Sequence, residues 1–559
     1  ADNYDLTIDE DGTFSANVNF SKYTPDGTYS ISHIDLTDRA GNWKAHYVSD
    51  VSVDLVNPNS DSVLPSLDSF EMRAIYDDAT NRPKIIIEGL VIDELSGFDH
   101  TLIGFDGPQG ATYSGLSSTH DSDPNLNFKI ELNLLNEYTP GTYTIDAVII
   151  YDNAYNRITE ENINFDSLNS PTSIHVYFPT SDEMTQVDGS EADDFVFGSN
   201  NTDDTLEAGA GDDYLFAGEG DDIVNGGDGD DLIIGGNGAG DDYYKGGDGI
   251  DTVKYTSATD GITVNLTTGT ATSTNGSDAA GIGTDTLVGI ENIIGGNFDD
   301  ILTGSSGANT IQGVAGSDLI DGAAGNDTIT LTGNTTHDVK FAHNVSSSSQ
   351  VATDVRINLS GKVKLETVVD GGADADTVNL SSSGDAFFLH DSFSGFHSSL
   401  TLTTDTHTGG QSTQRIMNVE TINGLGGDDI IDLTSPDYSL AGQVITIDGG
   451  TGNDVIWGSD ATETLIGGDG NDILFGGSGN DTLTGGAGAD TFEFTVSAGS
   501  DTITDYSKSD GDILKFYKRG EYEGDKEASI SEGIVTFGSV TIDLGDTSLT
   551  SLDALNVEY

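Results

Sequence analysis

Between Gly449 and Glu493 a large aliphatic or aromatic residue returns at every ninth position, each time after a run of Gly, Asn and Asp: GGTGNDVIW, GSDATETLI, GGDGNDILF, GGSGNDTLT, GGAGADTFE. The six polar residues of each phrase predict a turn that needs φ > 0 and close backbone approach. The last three, with one inward apolar side chain, predict a very short strand. Two turn-strand units complete a flattened coil, and stacking the coils sets each turn above the one two units earlier. A disordered Gly/Asp-rich linker has no reason to hold an apolar residue at a fixed period.

The same period governs two earlier blocks. The first starts at Ser199 and steps through Ala208, Ala217, Gly226 and Gly235, after which two extra residues move the next start to Gly246. Its sixth positions are Asp204, Asp213, Asp222, Asp231, Asp242 and Asp251. The second starts at Gly295, Gly304, Gly313 and Gly322, with Asp300, Asn309, Asp318 and Asp327 in that role. In the third, GLGGDDIID at 424–432 precedes the long run and gives Asp429, Asp454, Glu463, Asp472, Asp481 and Asp490. A degenerate unit, GGADADTVN at 371–379, has Asp374 where Gly is expected.

These positions predict metal chemistry. A sixth-position carboxylate and its counterpart two units later face one ion from opposite sides, and the glycine turns expose carbonyl oxygens around it. Calcium suits such a site, because it takes six or more oxygen ligands in flexible geometry. Asn309 and Glu463 depart from the pattern and predict weak or altered sites.

The phrase G-G-x-G-x-D-x-U-x, its spacing and its repetition resemble the repeats-in-toxin (RTX) family of bacterial proteins over roughly 190–559. The connecting segments GTDTLVGIENIIGGNFDDILTG and NVETINGLGGDDIIDL are also similar to that family. The resemblance implies a parallel calcium β-roll, export of an unfolded chain by the type I secretion machinery of a Gram-negative bacterium, an uncleaved C-terminal signal, and folding on external calcium.

Charge points the same way. Twenty Lys and Arg against 95 Asp and Glu leave a formal net charge of −75, which opposes compaction in a calcium-free chain. It also leaves no basic footprint for nucleic acid and disfavours direct binding to anionic membranes. With no cysteine, a secreted protein must be stabilised by metal and packing rather than disulfides. No apolar run has the length of a transmembrane helix, and the first residues do not read as a signal peptide.

The N-terminal third has strand rather than turn periodicity. YTPDGTYSISHIDLTDRAGN at 23–42 and YTPGTYTIDAVIIYDNAYN at 138–156 are two copies of one phrase, and PKIIIEGLVID at 83–93 and NFKIELNLL at 127–135 alternate as half-buried strands. This region resembles bacterial immunoglobulin-like β-sandwich modules. Copy one has only 26 residues before its Gly27, so the expectation is that Ala1 is not a natural start.

The predicted fold is all-β, with immunoglobulin-like modules followed by a parallel β-roll and a β-rich C-terminal cap. The predicted organisation is a partial module at 1–60, a module at 61–165, a linker or connecting strand at 166–190, roll blocks at 191–330, a β-rich insertion at 331–423, a third block at 424–494, and a cap with the export segment at 495–559. Within the insertion, AFFLHDSFSGFH at 386–397 reads as inward-facing strand rather than an aromatic ligand platform.

No zinc-protease, nucleophile-elbow, Walker or dinucleotide motif is present, and the glycine runs at nine-residue period precede no helix. The Asp pairs sit in repeat turns, which favours metal ligation over glycosidase chemistry. The expectation is a non-enzymatic, secreted structural and adhesive surface protein, with calcium as cofactor and a cell-surface, glycan or self-assembly partner. The alternatives are a surface-layer or matrix component, or the tail of a secreted hydrolase.

Overall fold

Apart from short loops, the computed structural model describes the strands between Tyr4 and Leu55 and residues 64–331, 363–401 and 414–558. The segments 332–362, 402–413 and 518–527 lie outside the described residues. The chain divides into two compact units, one of residues 1–184 with 192–197 and the other of 185–191 with 198–559.

In the first unit, alternation of apolar and polar residues produces antiparallel sheets. Asn127–Asn133, Arg82–Ile92 and Ser66–Asp77 form one, in that order. Ala111–Thr119, Phe98–Gly107 and Gly141–Asp152 form another, extended by Arg157–Thr159 and Ser173–Tyr177. Phe70, Met72, Ile85, Ile87, Phe128, Ile130, Val148 and Ile150 are buried. On the first sheet the intervening residues carry charge: Lys129 reaches Glu88 at 3.3 Å and Glu131 at 3.1 Å, Lys84 reaches Glu131 at 3.2 Å, and Arg73 reaches Glu88 at 3.4 Å. Before this, Tyr4–Ile8 pairs with Phe14–Val18, Gly27–Ser30 with Ser52–Leu55, and His33–Thr37 with Trp43–Tyr47.

The second unit is a stack of short parallel strands. Thr205–Ala210, Ile223–Asp228 and Tyr243–Asp248 pair in parallel on one side, and Tyr214–Phe216, Leu232–Ile234 and Thr252–Lys254 on the other. Each strand therefore pairs with the one two units on, as a two-unit coil requires. The period-nine apolar residues are the core: Leu206, Val224, Leu215, Ile233, Val253 and Ile293 are all at 0% exposure. The strands of one side run past three residues into the turns, so that Gly209 pairs with Gly227 and Gly227 with Gly247. Only glycine permits this. Gly227 has φ +125°, and a Cβ there would run into the Gly209 carbonyl oxygen of the coil beneath.

The range 331–423, read from sequence as an interruption, contributes to the stack. Val368–Asp370 pairs in parallel with Leu319–Asp321, Thr377–Asn379 with Thr328–Thr330, and Asp385–Phe388 with Ile430–Asp432. Here each coil has three strands. The side built on Thr205–Ala210 ends at Ile416–Met417, and a third side, beginning at Val363–Lys364, replaces it through Val455–Trp457 and Ile473–Phe475. Phe387 and Phe388 are buried in this side; of AFFLHDSFSGFH, the side chains from His390 on lie outside the described residues. In 166–190, Gln186–Asp188 begins the parallel stack on Thr205–Ala210.

Toward the C-terminus, Ser500–Ile503 and Ile513–Tyr517 continue the two sides by one further coil. Val540–Asp543 lies parallel on Ser500–Ile503, and Ile534–Phe537 turns back antiparallel on it. Phe516 packs between Phe494 and Phe537, with ring centroids 5.7 and 4.8 Å away.

Candidate metal centre

The turn that precedes each strand ends in the sixth-position residue, so stacking strands two units apart also stacks these side chains. The result is a buried ladder in which each backbone N–H donates to the carboxylate of the next coil. Asp204 donates to Asp222 Oδ1 at 2.7 Å, Asp222 to Asp242 at 2.8 Å, Asp213 to Asp231 at 2.9 Å and Asp231 to Asp251 at 2.9 Å. Asp300 donates to Asp318 at 3.0 Å and Asn309 to Asp327 at 2.7 Å. In the third block Asp429 donates to Asp454 at 2.7 Å, Asp454 to Asp472 at 2.8 Å, Asp472 to Asp490 at 2.9 Å and Glu463 to Asp481 at 3.0 Å. An exposed ladder of fifth-position residues runs the other way, as in Asp230 N–H to Asp212 Oδ1 at 2.8 Å and Asn471 N–H to Asn453 Oδ1 at 2.9 Å.

The second carboxylate oxygen separates two kinds of site. In Asp222, Asp231, Asp327, Asp376, Asp472 and Asp481, Oδ2 is buried and has no hydrogen-bond partner. At Asp204, Asp242 and Asp300 a donor from the protein closes it. Ser199 bonds Asp204 Oδ2 through N–H at 2.6 Å and Oγ at 3.0 Å, the Gly296 N–H bonds Asp300 Oδ2 at 2.7 Å, and the Tyr244 hydroxyl bonds Asp242 Oδ2 at 2.6 Å. The Asn309 amide is occupied at both ends, by the Ser305 N–H at 2.6 Å and the Glu291 carbonyl at 2.6 Å. Glu463 accepts at Oε1 from the N–H and hydroxyl of Ser459, while its Oε2 has no partner.

An ionised carboxylate buried without donors is costly. Burial pushes Asp222 up to about 7, with added repulsion from Asp242 and Asp204. It pushes Asp472 to about 7, Asp231 to about 6 and Asp318 to about 8.

The geometry fits a hard cation. A Cβ placed on Gly467 would fall onto both Asp472 Oδ2 and the Gly485 carbonyl oxygen of the next coil, and the same holds at Gly226 for Asp231 and Gly246 and at Gly449 for Asp454 and Gly467. An anionic oxygen and a carbonyl oxygen thus converge at each of these turns. Among the described residues no group of three or more His, Cys, Asp or Glu side chains forms a metal cluster. An ion here would therefore draw most of its ligands from turn carbonyls, as calcium does readily.

The ladder also contains residues that the repeat reading passed over. Asp242 N–H donates to Asp285, Asp251 to Glu291, Asp327 to Asp376, Asp376 to Glu420, Asp385 to Asp429, Asp481 to Asp501 and Asp490 to Asp512. Asp376 was legible as the sixth position of GGADADTVN. The others lack the complete glycine set of the repeat and share a carboxylate one or two residues before an apolar one.

The family profile of the RTX calcium-binding nonapeptide repeat matches the chain four times, at 199–233, 294–329, 446–472 and 457–492. These segments are RTX calcium-binding nonapeptide repeats. The RTX repeats bind calcium, and in this chain their sixth positions coincide with the buried ladder. Among solved structures, the extracellular lipase LipA from Serratia marcescens is similar over 65% of this chain at 15% identity and a TM-score of 0.14. The similarity spans 40% of that lipase's length. No curated protein matches the chain.

Proposed function

We propose that this protein works outside the producing cell as a calcium-stabilised structural and adhesive surface protein, whose RTX region folds on external calcium after type I export. The observation that carries this reading is the buried ladder of carboxylates with open second oxygens, set in a chain of net charge −75. The sixth-position residues named from the sequence, apart from Glu463 and the tyrosine-bound Asp242, are the proposed ligand set, with the open carboxylates its core and Asn309 the weakest member. Extracellular calcium sites have dissociation constants of about 10⁻⁴–10⁻³ M, so millimolar calcium fills them and cytosolic calcium does not. Each ion held only by the folded state adds about 2.7 kcal/mol when calcium is a hundredfold above its dissociation constant. The same chain is then unfolded where it must be exported and folded where it acts.

The adhesive part of the reading rests on the N-terminal region. The repeated phrase, read as tandem immunoglobulin-like modules, and the antiparallel sheets tied by cross-strand ion pairs suit an extender that holds the roll away from its anchor. The chain carries no catalytic motif that competes with this role.

A strain lacking the chain tests both parts. Comparison with its parent in millimolar calcium should show the protein outside the parent cells and weaker attachment of the deletion strain to surfaces or to other cells. Equal attachment would remove the adhesive role, and intracellular retention in the parent would remove the export.

A further inference from the structure

We propose that two buried tyrosines, Tyr244 and Tyr255, plug the calcium ladder at Asp242 and Asp285, so that this coil holds no ion and the ladder is divided there. The inference rests on the calcium reading of the other turns. Tyr244 stands in the register column of Val224 and Leu287, where the repeat elsewhere places an aliphatic residue. Its hydroxyl bonds Asp242 Oδ2 at 2.6 Å, and the Tyr255 hydroxyl bonds Asp285 Oδ2 at 2.8 Å. Both rings are at 0% exposure, and Asp285 Oδ1 already accepts from the Asp242 N–H at 3.2 Å.

The space is taken as well as the oxygens. At Gly226, Gly467 and Gly485, the atom nearest a first-position Cβ would be a carboxylate Oδ2 of the same repeat or a carbonyl facing it. At Gly235, the first position of the Asp242 unit, the Tyr255 ring occupies that place. A phenol O–H supplies the positive end of a dipole to each carboxylate, in the role that a cation fills at Asp222 one coil below. The divergence has a sequence signature in the two extra residues of GGNGAGDDYY; one regular unit, GGDGIDTVK at 246–254, follows before the chain leaves the nonapeptide until Gly295.

The test counts calcium bound per full-length chain by equilibrium dialysis at saturating calcium. Asp242→Asn should bind as many ions as the wild type, whereas Asp222→Asn should bind at least one fewer. The double variant Tyr244→Leu/Tyr255→Leu, which restores the aliphatic residue of the repeat at 244 and removes both phenols from the turn, should bind one more. Loss of an ion in Asp242→Asn, or an unchanged count in a folded Tyr244→Leu/Tyr255→Leu, would overturn the plug. A wild-type chain that binds no calcium would sink the calcium reading itself, a result that the variants cannot mimic.

Discussion

The backbone N–H of Asp204 donates to Oδ1 of Asp222 at 2.7 Å, while Oδ2 of the same carboxylate, equally buried, receives no donor. One oxygen of Asp222 thus holds the stack in register, and the other is free for a cation. The exposed fifth-position ladder shares the first property but not the second, because water reaches the remaining oxygen of each of its side chains.

Asp222→Ala removes a register bond and an open ligand together, in the middle of an uninterrupted block. Glu463→Ala removes a side chain that accepts no backbone N–H from a neighbouring coil, its Oε1 being bound by the N–H and hydroxyl of Ser459 in its own turn. The calcium concentration at half-folding, read by circular dichroism, should rise severalfold in the first variant and by a smaller factor in the second. Equal shifts would mean that the ladder does not rank its sites by the bond between coils.

Without calcium the pH dependence has a definite sign. Burial raises the folded-state values of Asp222 and Asp472 to about 7 and of Asp285 and Asp318 to about 8, above the ordinary carboxylate value of about 3.9. The folded roll therefore binds more protons than the unfolded chain in the window between about 4 and 8, and its stability falls as pH rises through it. In chelator, the β signal of the roll in circular dichroism should be larger at pH 5 than at pH 8. In saturating calcium protons compete with the ion, so calcium affinity should weaken on acidification.

Stacked glycines separate backbone strain from steric contact. Gly468 has φ +109° and a Cβ there meets the Gly450 carbonyl oxygen, whereas Gly442 has φ +92° with nothing within 4 Å. In excess calcium, Gly442→Ala should cost about 1–2 kcal/mol from the left-handed backbone alone. Gly468→Ala should cost clearly more, because the next coil must move away. Matched losses in thermal melts would show that the turns are not in contact.

The period-nine pattern made the roll legible because apolar position, turn glycine and carboxylate all repeat together, and Leu206, Ile233 and Ile456 lie in the core as that period requires. It could not reveal that Val368–Asp370 and Thr377–Asn379 belong to the same sheets, since their partners are 49 residues away in sequence. Nor could it separate open from closed carboxylates. Whether Asp242 faces a cation or a phenol depends on Tyr244 reaching across its own coil, and Tyr reads in sequence as one more large apolar residue. Asp501 and Asp512 join the ladder with a single preceding glycine each, Gly499 and Gly511, in place of the glycine set that marked the others.

Deletion of 500–559 separates export from folding. The segment supplies Ser500–Ile503 and Val540–Asp543 to the end of the stack, so its loss should weaken calcium-induced folding of the purified chain. If it also carries the export signal, the truncated chain should stay inside producing cells although export acts on the unfolded state. Undiminished export would place the signal elsewhere.

Hydrogen exchange of the full-length chain, resolved by peptide with and without calcium, tests the central claim most directly. In millimolar calcium, amides of the stacked strands from Thr205–Ala210 to Ile473–Phe475 should be protected for hours. In chelator they should exchange within seconds, while amides of Arg82–Ile92 and Gly141–Asp152 stay protected in both conditions. Full protection of the stacked strands in excess chelator would contradict the account.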